Sequence, residues 1–218
     1  MGICYIVGAA PHTIVDFALK DGDFLIAADG GMDAIKQANL HADFWLGDMD
    51  STAEIVEASA TCYPSEKDET DLFLALQEGI KRGYTTFVIY GALGGRLDHT
   101  MANLQLLLYL AKRGLRGFLV DNTTMVTTIC NEQVCINEAQ GMISLFAAEK
   151  AAEGITLQGL KYTLQNATLT EEFPLGVSNE FLLGETAEIT VQNGVLWLVT
   201  AKDNLKYWMK SLAKKQQK

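Results

Sequence analysis

DGGMDAIKQANLHADFWLGDMDS, residues Asp29 to Ser51, closes one strand-helix-strand unit between two acidic turns. The apolar run Phe24-Leu-Ile-Ala-Ala28 before it has strand length and stops at Asp29-Gly30-Gly31, where glycine permits backbone angles and close approaches that other residues resist. Asp29 is therefore expected at the carboxyl end of a strand. Ala34, Ile35 and Ala38 follow helical spacing, and a second apolar run, Phe44-Trp-Leu46, stops at Gly47-Asp48-Met49-Asp50-Ser51. Ligands of open α/β sheets bind at the carboxyl ends of strands. Carboxylates gathered there repel one another unless a cation or donors offset them, and such hard oxygen ligands suit Mg²⁺ with phosphate. Asp-Gly and Gly-Asp pairs are also ordinary turn chemistry, so the rest of the chain has to decide.

Two further segments bear on the choice. Lys67-Asp-Glu-Thr-Asp71 precedes a helix that carries Leu72, Leu76 and Ile80 on one face and ends before Gly83. Acids in a first helical turn are explained by capping and the macrodipole alone. A lysine beside the exposed N–H groups of a helix start instead favours a polyphosphate. The next strand, Thr86–Tyr90, ends at Gly91-Ala-Leu-Gly-Gly-Arg-Leu-Asp-His99, before a helix expected over Thr100–Arg113. These glycines fit neither the dinucleotide fingerprint G-x-G-x-x-G nor the P-loop. What Gly94-Gly95-Arg96 offers is bare backbone beside a guanidinium suited to phosphate oxygens, with Asp98 able to orient the arginine. His99 reads first as a residue of the helix start and second as a catalytic candidate.

The βαβ rhythm runs from Ile3–Ala9 to a last strand at Gly117–Asp121 and includes expected helices at Ile14–Lys20 and Thr52–Glu57 and a short strand at Ala60–Tyr63. The pattern then changes to short alternating runs: Met125–Ile129, Gln133–Ile136, Met142–Ala147, Gly154–Leu157, Ala187–Gln192 and Val195–Thr200. Asn193-Gly194 between the last two predicts a hairpin. The expected fold is an α/β N-terminal domain with a mostly parallel sheet, residues 1–122, followed by an all-β antiparallel, sandwich-like C-terminal domain, residues 123–218. The tail from Lys202 sets Leu205, Trp208, Met209 and Leu212 on one face and lysines at 202, 206, 210 and 214 on another, an amphipathic helix expected to pack on the β domain or a partner subunit.

The formal charge of −10 over 218 residues disfavours nucleic-acid binding through broad phosphate neutralisation, but not a small anionic substrate. The charge is uneven: Lys202–Lys218 holds six lysines and one aspartate, net +5, which leaves −15 on the rest. Four cysteines without a C-x-x-C pair point to reduced thiols in a cytoplasmic protein and away from structural zinc. The N-terminus lacks a basic region and reaches Pro11-His12 too soon for a secretory signal, and no apolar run has membrane-spanning length.

Taken together, AADGG at 27–31, LGDMDS at 46–51, KDETD at 67–71 and GALGGRLDH at 91–99 closely resemble, in order and spacing, the thiamine pyrophosphokinase family. The resemblance implies transfer of the pyrophosphoryl group of ATP to thiamine with Mg²⁺, giving thiamine diphosphate and AMP, in homodimers whose thiamine pocket lies between subunits. It makes the N-terminal domain the ATP- and metal-binding catalytic part and the β domain the thiamine-binding part. By motif it implies Asp29, Asp48, Asp50 and Asp71 around the metal, Lys67 and Arg96 at the phosphates, with Gly30, Thr70, Gly94 and Gly95 completing the ATP site. The resemblance further implies that Asp98 supports Arg96 and belongs to the substrate site, and that Asp71, Asp98 and Arg96 form the catalytic set. Ser178 and Asn179 match a segment near the thiamine, and Tyr162 stands in Gly159-Leu-Lys-Tyr162 where the family often has Trp. Attack of an alcohol on phosphorus also calls for a base near the metal, and Asp71 and Asp98 both qualify. Another Mg²⁺-dependent phosphoryl- or nucleotidyl-handling enzyme, or a silent ligand-binding homologue, is the alternative.

Overall fold

The apolar runs of the first half, hydrophobic on both faces, form parallel strands, as strands buried on both sides do. A computed structural model describes residues 2–47, 59–62 and 69–215. The order is β1 (Cys4–Val7), β2 (Phe24–Ala28), α1 (Gly31–Gln37), β3 (Phe44–Gly47), β4 (Ser59–Cys62), α2 (Asp71–Lys81), β5 (Thr86–Tyr90), α3 (Leu97–Ala111) and β6 (Arg116–Val120). The strands pair in the spatial order β6-β5-β1-β2-β3-β4, all parallel. Ile6, Leu25, Ile26, Leu46, Phe87, Ile89 and Phe118 are fully buried, each such side chain contributing about 1.5–3 kcal/mol. Asp29 follows β2 as expected, with φ +51 and its N–H donating to the Leu46 carbonyl at 2.6 Å.

The chain divides into two compact units, Met1–Leu107 with Leu115–Asn122, and Leu108–Gly114 with Thr123–Lys218. The second contains β7 (Thr124–Cys130), β8 (Gln133–Asn137), β9 (Met142–Ala147), β10 (Ala151–Gln158), β11 (Leu164–Thr170), β12 (Asn179–Glu180), β13 (Thr186–Thr190), β14 (Val195–Ala201), a 3-10 turn (Lys202–Asn204) and α4 (Leu205–Lys215). Within it two antiparallel sheets form, β12-β9-β14-β7 and β11-β10-β13-β8, and they meet through β10 with β14 and β11 with β9. The α4 helix packs on β8: Trp208 is buried, and the Ser211 hydroxyl donates to the Cys135 carbonyl at 2.8 Å. Cys4, Cys130 and Cys135 form no disulfide. Among the described residues no helix is long and apolar enough to cross a membrane.

Three sequence expectations are corrected. Ile14–Lys20 is not a helix but extended chain: burial alternates, with Val15, Phe17 and Leu19 half-buried and Ile14, Asp16, Ala18 and Lys20 exposed. Phe17 decides this by stacking on Tyr5 of β1 at 4.0 Å and meeting Tyr90 of β5 at 5.1 Å. Asn122 pins the segment, its amide donating to the His12 carbonyl at 2.9 Å and accepting from the Ile14 N–H at 3.2 Å. Second, Asn193-Gly194 closes no hairpin. β13 is bonded on both edges, to β8 and β10, and β14 on both edges, to β7 and β9, so the turn carries the chain from one sheet to the other. Third, α3 begins at Leu97 rather than Thr100, which puts Asp98 and His99 inside its first turn. The expected helix at Thr52–Glu57 lies outside the described residues.

The extended segment gives a test. Phe17→Ala removes the aromatic contacts that hold it to β1 and β5 and is expected to lower the unfolding free energy by about 2 kcal/mol, read from the urea midpoint. An unchanged midpoint would show that the stack does not anchor the segment.

Candidate active site

The strand order fixes where a cavity can form. From β1 the chain proceeds outward through β2, β3 and β4, then returns to the other side of β1 as β5, so the order reverses between β1 and β5. In open α/β sheets the ligand crevice lies at such a switch point, beyond the carboxyl ends of the strands. A cavity of about 550 Å³ occupies this position. Its floor is Gly8–Pro11 after β1 and Gly91 and Ala92 after β5. The two backbones touch there: the Gly8 N–H donates to the Tyr90 carbonyl at 2.8 Å, and the Ala10 N–H to the Gly91 carbonyl at 3.1 Å. Gly91 has φ +66, and a Cβ on it would lie 2.2 Å from the Gly8 carbonyl oxygen, so the position accepts only glycine.

The walls carry the polar groups. Asp29 enters from the end of β2, Thr70 and Asp71 from the start of α2, and Gly94, Gly95 and Arg96 from the loop before α3. Thr70 is the N-cap of α2, its hydroxyl accepting from the Phe73 N–H at 3.2 Å, and Leu72 of the same turn also lines the cavity. The α3 helix also starts at this wall and adds His99, Thr100 and Asn103. Two helix N-termini and a guanidinium thus face the cavity beside the Asp29 and Asp71 carboxylates, and helix starts and guanidinium are groups suited to phosphate oxygens.

Arg96 and Asp98 form a two-point pair: Nε donates to Oδ1 at 3.1 Å and Nη2 to Oδ2 at 2.6 Å. Asp98 Oδ1 also accepts from the His99 N–H at 3.0 Å. The hydrogen bonds from Arg96 hold the Asp98 carboxyl below its ordinary range and raise the guanidinium in turn. Of the residues expected around ATP and metal, Asp29, Thr70, Asp71, Gly94, Gly95 and Arg96 line this one cavity. Asp98 reaches it through Arg96, and Gly30 stands next to Asp29 as the N-cap of α1. Asp48, Asp50 and Lys67 lie outside the described residues.

Asn103 was missed by the sequence reading. It is 5% exposed, and its amide donates to the Ala92 carbonyl at 2.8 Å, tying α3 to the loop that bears Arg96. The available signal was its place one helical turn after His99 and one before buried Leu107, a polar residue on an inward stripe. In the second unit, Tyr162, Ser178 and Asn179 fall together. Tyr162 is 60% exposed, whereas Asn179 is 4% exposed. The Asn179 side chain accepts from the Tyr162 N–H at 2.9 Å and donates to the Tyr162 carbonyl at 2.7 Å. Ser178 has φ +60, and its N–H donates to the Ser144 hydroxyl at 3.1 Å.

Fold and cavity define the class first: a parallel α/β unit with a cavity at its switch point that carries two aspartates and an arginine, in one chain with a unit of two antiparallel sheets. Residues 16–119 match the thiamin pyrophosphokinase catalytic domain, and residues 131–196 match the thiamin pyrophosphokinase vitamin B1 binding domain. The chain belongs to the thiamine pyrophosphokinase family. It is 29% identical to the thiamine pyrophosphokinase of Bacillus subtilis strain 168 over 187 residues, 82% of this chain and 87% of that one. The crystal structure of a Bacillus subtilis thiamine pyrophosphokinase superposes with a TM-score of 0.83 at 24% identity, covering 92% of this chain and 99% of that one. That of Geobacillus thermodenitrificans thiamin pyrophosphokinase gives 0.81 at 26% identity, covering 92% and 98%.

The Arg96–Asp98 pair has a direct titration signature. A carboxyl held low by a native partner stabilises the pair above the ordinary carboxylate range, and that contribution is lost as pH falls through the lowered value. Arg96→Gln is expected to bring Asp98 back up toward its ordinary value in an NMR carboxyl titration. Identical titration in both proteins would mean that the guanidinium does not hold this carboxylate in solution.

Proposed function

We propose that this chain transfers the pyrophosphoryl group of ATP to the hydroxyl of thiamine, releasing AMP and thiamine diphosphate. The observation that carries the reading is the convergence of Asp29, Asp71, Arg96 and the first turns of α2 and α3 on one cavity, in a chain of this family. The thiamine hydroxyl oxygen attacks the β-phosphorus of ATP. The bond from that phosphorus to the oxygen bridging the α-phosphate breaks, AMP leaves with the bridging oxygen, and the hydroxyl proton passes to a base. Such a reaction calls for alignment of nucleophile and leaving group and for charge stabilisation at the phosphate oxygens.

Arg96 serves the phosphates, held in orientation by Asp98; Gly94 and Gly95 let backbone come close, Thr70 caps the helix end facing them, and Lys67 adds a further cation. Gly30 gives the turn after Asp29 its room. Of the two candidate bases, Asp98 has both oxygens engaged with Arg96 and the His99 N–H. Substitution of Asp71 tests the other candidate.

Mg²⁺ is part of the proposal, and the donor set fits it. Asp29 and Asp71 line the cavity, and Mg²⁺ is commonly held by one or two carboxylates together with substrate phosphates and water rather than by an all-protein cage. Asp48 and Asp50 are assigned to the same site. When bound, the ion neutralises phosphate charge. Thiamine is assigned to the second unit through Tyr162, with Ser178 and Asn179 beside it. Exposed Phe173, Leu175, Val177 and Leu183 of that unit support a homodimer, with thiamine bound between subunits in a cytoplasmic enzyme.

ATP, Mg²⁺ and thiamine incubated with the protein should yield AMP in step with thiamine diphosphate, separated by chromatography; ADP with thiamine monophosphate would mean attack at the γ-phosphorus instead. Asp71→Asn should lower kcat by on the order of 10²-fold or more with little change in the thermal midpoint. Retained turnover removes Asp71 from the mechanism.

A further inference from the structure

We propose that Asn179 is a positioning residue that acts through Tyr162, and that the Tyr162 ring, not the Asn179 amide, is the group that meets the aromatic rings of the substrate. The inference rests on the reading of the second unit as the thiamine site. It follows from how the hydrogen-bonding capacity of the Asn179 side chain is already used.

A carboxamide has one oxygen with two lone pairs and one nitrogen with two hydrogens. Asn179 Oδ1 accepts from the Tyr162 N–H and from the Glu180 N–H, both at 2.9 Å, and Nδ2 donates to the Tyr162 carbonyl at 2.7 Å. The oxygen is thereby saturated, and one buried N–H remains. The orientation of the amide is fixed by its partners, because the flipped amide would set N–H against N–H and oxygen against oxygen. At 4% exposure the side chain offers a ligand almost no surface, whereas the ring beside it is 60% exposed.

The reason the chain needs a side chain here lies in the strand pairing. Residues 160–162 run antiparallel to 179–181: Leu160 bridges Phe181, and the Lys161 N–H donates to the Glu180 carbonyl at 2.9 Å. The next rung would pair Tyr162 with the backbone of Asn179, but that backbone is already paired with Ile143 in β9. The Asn179 amide supplies the rung instead, meeting both the N–H and the C=O of Tyr162. Ser178, at φ +60 and bonded to the Ser144 hydroxyl, turns the chain into β12 just before Asn179. The Lys161–Glu180 ion pair at 2.9 Å closes the same ladder on its solvent side. An exposed ring on an otherwise free loop would lose rotational and backbone freedom on binding; fixing its backbone beforehand removes part of that cost.

A double-mutant cycle in thiamine KM separates the two roles. Asn179→Ala and Tyr162→Ala should each raise the thiamine KM, on the order of tenfold, with the KM for ATP unmoved. The double variant should be no worse than Tyr162→Ala alone, since removing the ring removes what Asn179 acts on. Multiplicative losses would show that Asn179 serves the ligand independently and would overturn the proposal, as would an Asn179→Ala enzyme with unchanged thiamine KM. If Asn179→Ala does not fold, Asn179→Asp keeps the acceptor oxygen, loses the donor to the Tyr162 carbonyl, and reads the same coupling with Tyr162→Ala. Unmodified protein that forms no AMP with thiamine overturns the functional reading itself, and this inference with it. Multiplicative losses in an active enzyme overturn the inference alone.

Discussion

The contact of the Gly8 and Gly91 backbones at the ends of β1 and β5 is the constraint on which the first unit's site depends. The two strands are neighbours in space but far apart in sequence, joined by parallel pairing from Cys4↔Phe87 to Val7↔Tyr90. Beyond that register one chain runs to Pro11 and the other to Arg96, and both segments line the cavity. A Cβ on Gly8 would lie 2.8 Å from the Gly91 oxygen, so side chains at either position would wedge the floor apart. The loop that carries Arg96 starts from this contact and is tied again by Asn103 at Ala92. Its geometry is thus set by backbone contact and a buried amide rather than by the exposed arginine it presents.

In a chain of net charge −10, groups able to meet a phosphate have to act locally rather than through total charge. In the first unit such groups are the helix ends and one guanidinium, which act over a turn of helix or a single contact. The Asp98 carboxylate offsets the charge of the Arg96 guanidinium while its two hydrogen bonds, from Nε and Nη2, fix the orientation of that group. Orientation is gained at some cost in field strength, an exchange that suits a group meant to place a ligand as well as to attract it.

Most of the strands were legible in the sequence because buried parallel strands give continuous apolar runs and half-buried ones alternate, as in β8 with Val134 and Ile136 inward. The turn glycines and acids at the strand ends were legible for the same local reason. What was not legible depends on distant partners. Ile14–Lys20 has apolar residues that fit either period, and the aromatic rings of Tyr5 and Tyr90 select the extended form. Asn193-Gly194 has the local chemistry of a hairpin, yet β13 and β14 already have both edges occupied by other strands. Asn103 looked like one more residue of an amphipathic helix until the loop carbonyl it serves was placed opposite it. Local chemistry specifies which conformations a segment can take, and long-range pairing chooses among them.

Asn179 extends the same point from fold to function. A Ser-Asn pair in a motif that resembles a substrate site invites the assignment of both side chains to the substrate, because polar residues at such places are commonly contacts. Hydrogen-bond capacity is finite, however, and an amide that completes a strand ladder cannot serve a ligand with the same atoms. The requirement for asparagine at 179 can then be as strict as for a true contact, since an aspartate would set oxygen against the Tyr162 carbonyl and a leucine would leave the Tyr162 N–H and carbonyl without this partner. A sequence motif records that strictness without recording its cause. Only the geometry of the acceptor and donor atoms separates a residue that touches the substrate from one that holds in place the residue that does.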